Sequence, residues 1–142
     1  MKSPNKGKID YLSVENIENI VQSWRLILGV DPIYDIGFKV SEVDDPEYAG
    51  SAAWISGLTT DTVHPIVTIN FNIDIIGENR YDKEYMLDTI IHELLHIVTW
   101  EAFVMADPTY EYKGLKARAS EILVMKLTNA ILKTHKESKK LF

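Results

Sequence analysis

Residues 89–98 read Thr-Ile-Ile-His-Glu-Leu-Leu-His-Ile-Val, and no other run restricts the fold as much. Leu87, Ile90, Ile91, Leu94, Leu95, Ile97 and Val98 nearly encircle a helix drawn from Asp82 to Phe103. A helix that is apolar on all sides has to be buried, so this one is expected at the centre, between a sheet and a further helix. Its polar interruptions are Asp88, His92, Glu93, His96 and Trp100. Four of them, Asp88, His92, His96 and Trp100, recur at i+4 and form one stripe, which should line a site. His92 and His96 are offset by only about 40° around the axis, so both imidazoles can reach one metal ion. Glu93 lies beside them as a general base. Neutral imidazoles hold the ion, a bound Zn²⁺ acidifies its water to a pKa of roughly 7, and the carboxylate takes the proton as that water attacks a carbonyl.

The rest of the composition limits how such a site can be built. The chain has 142 residues and no cysteine, which removes disulfides and thiolate metal sites and leaves histidine and carboxylate as ligands. Its length suits a single domain, 1–142, with 1–10 and 136–142 expected as flexible basic tails. A net charge of −6 argues against a broad nucleic-acid surface. No apolar run is long enough for a membrane span, and the basic N-terminus lacks the apolar stretch of a secretory signal. The expected setting is cytoplasmic.

The remaining pattern predicts an α+β fold. Ser13 reads as an N-cap, followed by Ile17, Ile20, Val21, Trp24, Ile27 and Leu28 at helical spacing, with Gly29 and Asp31-Pro32 as the stop. Three strands are expected next, over 33–43, 48–56 and 64–73, forming a mainly antiparallel sheet. In the third, Ile66, Thr68, Asn70 and Asn72 face one way, and Val67, Ile69, Phe71 and Ile73 the other. Pro65 at its start suits a first residue or an edge position. Gly77 to Arg80 should end the sheet, Asp82 should cap the motif helix, and a last helix should run from Gly114 to Lys133.

A zinc site needs a third protein ligand. Glu101 falls about 140° round the helix from His96 and faces away. Asp107 and Glu111 lie in the following connection and stay open as candidates. Glu121 fits best: Ala117, Val124 and Met125 share its helical face, and a carboxylate on an apolar face calls for a cation or strong hydrogen bonds. An exposed ion pair with Arg118 is the alternative reading of Glu121.

The His92-Glu93-Leu94-Leu95-His96 motif, with Thr89 and Ile90 before it and Ile97 and Val98 after it, resembles the zincin metallopeptidases. Glu121 on a downstream helix resembles the arrangement of the gluzincins. Glu121-Ile-Leu-Val124-Met-Lys-Leu127 looks like a pattern of small phage-type metallopeptidases, and the order α-β-β-β-α-α resembles the minimal zincin core of ImmA/IrrE-type and SprT-like proteins. Ala102 stands where a metzincin-type site would have its third histidine, and no histidine follows the motif until His135, unlike the SprT-like pattern.

The resemblance implies one Zn²⁺ held by His92, His96 and Glu121, Glu93 as base, and a peptide or protein substrate. The peptide is expected to lie along strand 66–73 as an added strand. The alternatives are a metal-binding or regulatory module that hydrolyses nothing and a zinc hydrolase for a non-peptide substrate. Asp88 could orient His92 or serve only as a first-turn helix acid. Tyr110, Tyr112 and His64 are candidates for stabilising an oxyanion. His135 is expected at the surface.

Overall fold

The computed structural model describes residues 7–58, 65–106 and 114–141. The chain runs through α1 (Val14–Leu28), β1 (Asp35–Ser41), β2 (Ala53–Ser56), β3 (Ile66–Asn72), a single turn α2 (Ile73–Ile76), a 3₁₀ turn (Gly77–Tyr81), α3 (Lys83–Ala106) and α4 (Gly114–Leu141). The fold is α+β.

Helix α1 begins and ends on local chemistry. The Ser13 hydroxyl accepts from the Asn16 backbone N–H, and Gly29 closes the helix in the left-handed region at φ 71°, donating to the Arg25 and Leu26 carbonyls. Its inward face, Ile17, Val21 and Trp24, enters the core.

The sheet is mixed, and here the structure departs from the expected antiparallel meander. β3 lies in the middle, in the order β1-β3-β2. It pairs parallel with β1, from Asp35 opposite Ile66 to Ser41 opposite Asn72. It pairs antiparallel with β2, from Ala53 opposite Phe71 to Ser56 opposite Thr68. Strand 66–73 is therefore not an edge. Val67, Ile69 and Phe71 are fully buried on one face, while Ile66, Thr68 and Asn70 keep some exposure on the other. A sheet covered on one side gives this alternation to a central strand as readily as to an edge strand. Pro65 lies just before β3, outside the ladder. Asn72 breaks the alternation: it is buried, accepts from the Asp74 N–H at 3.1 Å and donates to the Ala49 carbonyl at 3.3 Å.

The approach to α3 is braced. Arg80 donates to both carboxylate oxygens of Asp10, at 2.9 and 2.7 Å, and the Tyr11 N–H donates to the Arg80 carbonyl at 2.8 Å. Asp82 caps the helix, its carboxylate accepting from the Tyr85 N–H at 3.2 Å. α3 then packs against α1, β2 and α4. Met86, Leu87, Ile90, Ile91, Leu94, Leu95 and Ile97 are all buried, which is the central placement that its apolar girdle requires.

α4 continues to Leu141, past the expected end at Lys133, so residues 136–141 are helical. Thr134 to Leu141 contains neither proline nor glycine to stop it. Among its described side chains, only Ser120, Val124 and Thr128 are buried.

Gly57 follows β2 at φ 92°, and a Cβ there would press into the Ile66 carbonyl oxygen. Gly57→Ala is expected to destabilise the protein by about 1–3 kcal/mol, through left-handed strain and the clash together. Gly50→Ala, where a Cβ meets open space, should leave the thermal midpoint nearly unchanged. Parallel thermal melts of the two variants check this.

Candidate metal centre

The middle of α3 and the first half of α4 face each other across one cluster. His92 and His96 project from α3 one turn apart, their Nε2 atoms 3.2 Å from each other. Glu121 reaches over from α4, with Oε2 3.2 Å from His92 Nε2 and Oε1 2.8 Å from His96 Nε2. One donor atom from each residue lies within 4.8 Å of the others, so the three could hold a metal ion. The side chains grade outward: His96 is 10 % exposed, His92 22 % and Glu121 44 %. The cluster therefore opens to solvent on the α4 side.

Glu93 occupies the inner side. It is only 5 % exposed, and no hydrogen bond to it is found among the described residues. Burial drives its pKa from 4.5 up to about 7; the charges of His96 and His92 oppose the rise, and that of Glu121 adds to it. Burial by itself would lower His92, but the Glu121 hydrogen bond and the charges of Glu93, Glu121 and Asp88 leave its pKa raised.

The residues singled out in the sequence sort themselves by position. The structure brings His92, His96 and Glu121 together, with Glu93 alongside in the helix. Asp88 is exposed and acts on His92 through its charge, with no hydrogen bond between them among the described residues, so it does not orient the ring. Glu101 is engaged elsewhere: it hydrogen-bonds Tyr34, a buried phenol whose pKa is driven up by burial first and by Glu101 second. That contact was not anticipated, because nothing in the spacing of residues 34 and 101 links them. His135 is half-buried and meets Trp24 edge-on, with ring centroids 5.1 Å apart, and so is not simply at the surface. His64, Asp107, Tyr110, Glu111 and Tyr112 lie outside the described residues.

No family model, curated protein or solved structure matches the chain. Among the described residues, no helix is long and apolar enough to cross a membrane.

The buried carboxyl has a consequence for stability. A carboxyl whose folded pKa lies above its unfolded one takes up protons on folding, so its contribution is most favourable below about pH 4.5 and declines as pH rises towards 7. The raised His92 works in the same direction. The metal-free protein should lose on the order of 3 kcal/mol across that window from Glu93. Glu93→Gln should flatten the decline, which urea titrations of chelator-treated protein at several pH values would measure.

Proposed function

We propose that the chain is a zinc-dependent metallopeptidase in which His92, His96 and Glu121 hold the ion and Glu93 is the general base. The observation that carries this reading is the pairing of a three-donor cluster with a buried carboxylate that no described group satisfies. Donors arranged tetrahedrally around an ion at about 2.0–2.1 Å stand about 3.3 Å apart. The His92 and His96 Nε2 atoms, 3.2 Å apart, stand near that edge length, and a Glu121 oxygen lies within 4.8 Å of both. A cluster serving only to bind metal needs the three ligands, and it gives no reason to keep an ionisable, unpartnered carboxyl at the fourth position of the motif's neighbourhood.

A bound zinc ion would supply a Lewis acid and an acidified water. In the metal-free protein burial holds Glu93 up at about 7; a bound cation would lower it, and the carboxylate would then take the water's proton and return it to a leaving amine. His96, the most enclosed ligand, and His92 fix the inner side of the site from one rigid helix. Glu121 closes it from α4. The exposure on the α4 side suits an extended polymer better than a small enclosed ligand.

The position of a peptide follows from the sheet. With β3 central, a strand cannot be added at 66–73; β2 provides an outer edge on the side that α3 packs against. The proposed substrate pairs with β2 through main-chain hydrogen bonds.

Glu93→Gln is expected to retain one equivalent of zinc and to lose turnover by about 10³-fold or more, whereas His92→Ala and Glu121→Ala lose both. Metal analysis of each purified variant, alongside digestion of an unbiased peptide library, checks this. Full activity in Glu93→Gln would instead favour a non-catalytic metal-binding module.

A further inference from the structure

A second feature lies away from the metal centre. Between the C-terminal half of α1 and α4 runs an open groove of about 340 Å³. Trp24 and Ile27 line it from α1, and Leu127, Ala130, Ile131 and His135 from α4. Its floor is the buried Trp24 ring with His135 set edge-on against it. Its lip is apolar and exposed: Ile27 is 65 % exposed, and Leu123, one turn before Leu127, extends the apolar surface along α4.

The charges around the groove are uneven. Residues 114–141 carry seven lysines and arginines against two glutamates, in a chain whose net charge is −6, so a basic helix rests on a strongly acidic remainder. Lys126 and Lys133 are exposed and adjoin the lining positions Leu127 and Thr134, two turns apart on the outer lip. Lys136 is already paired with Glu84 at 3.2 Å, and Glu137, one turn beyond Lys133, is the single carboxylate at this end of the lip and is itself engaged. On α1, the exposed positions nearest the lining, Ser23 and Asn19, are uncharged, while the exposed Glu15 and Glu18 lie further round the helix.

We propose that this groove docks an acidic amphipathic helical segment of a partner protein. A concave, tryptophan-floored trough between two helices accepts apolar anchors spaced at i, i+3, i+4 and i+7, which is the helix-in-groove mode of recognition. Carboxylates beside those anchors meet Lys126 and Lys133. A second copy presenting its own α4 would bring lysines against lysines. An anionic membrane extends past α4 and would face the acidic body as well, whereas a single helix meets only the groove and its flanking lysines. The proposal is independent of whether the metal centre hydrolyses anything.

The probe is a fluorescently labelled helical peptide of about 16 residues, with leucines at i, i+3, i+4 and i+7 and glutamates on its flanks, titrated with the full chain. Saturable binding is expected. It should weaken at least about tenfold in Ala130→Glu and several-fold in the Lys126→Glu/Lys133→Glu double variant, with a shallower salt dependence in the latter. All three positions are exposed, and unchanged thermal midpoints would confirm that the variants fold. Absence of saturable binding overturns the proposal, as does equal affinity for the peptide with lysines in place of glutamates. Binding to phosphatidylserine–phosphatidylcholine vesicles that Ala130→Glu abolishes would overturn it in favour of a membrane surface. Dimerisation abolished by the same substitution would overturn it in favour of a second copy.

Discussion

A helix sheathed in apolar contacts can carry imidazoles and carboxylates only where something answers their polarity. α3 has α1, β2 and α4 around it, with seven aliphatic or thioether side chains buried along its length. Its histidines are answered by one carboxylate from α4, and that contact is where the fold and the chemistry meet. Without Glu121, the stripe would present one buried and one partly buried ring to a seam between helices. With it, three donor atoms converge at separations that a single cation can span.

Glu93 shows the tension in such a design. Its burial is unfavourable for the charged form, and this is the same condition that moves its pKa into the range useful for proton transfer. A glutamine there would remove the ionisable group and with it the unfavourable burial of a charge. The two ends of α3 offset the penalty. Asp82 caps its start, the Asp10–Arg80 pair braces the turn before it, and the Tyr34–Glu101 hydrogen bond anchors its far half.

The features legible in the sequence were those that depend on neighbours along the chain. The Ser13 cap, the Gly29 stop, the alternating faces of β3 and the girdle of α3 all follow from spacings of two to four residues. Glu121 was legible for a similar reason: its carboxylate shares a helical face with Val124, which the structure buries. Strand order was not legible, because pairing between Asp35 and Ile66 is decided by contacts far apart in the chain. The alternation in 66–72 reports one covered face and carries no information about how many neighbours the strand has. The length of α4 was misjudged because lysine-rich composition was read as a frayed end, although lysine is a good helix former. His135 was misplaced for the same reason, since its contact with Trp24 exists only if the helix continues that far.

The position of Glu121 on α4 would tie cation binding to the packing of that helix. Ser120, Val124 and Thr128 are buried along it, Ile131 and Leu132 pack against the core further on, and Glu121 lies beside Ser120. If an ion binds at the cluster, α4 contributes one of its ligands, so cation affinity and the docking of α4 would be two readings of one equilibrium. Reciprocity would then make anything that seats α4 more firmly tighten the grip on such an ion, and the ion would firm the seat of α4 by the same factor. In that sense the last helix would act as a clasp, carrying events along its length to the cluster.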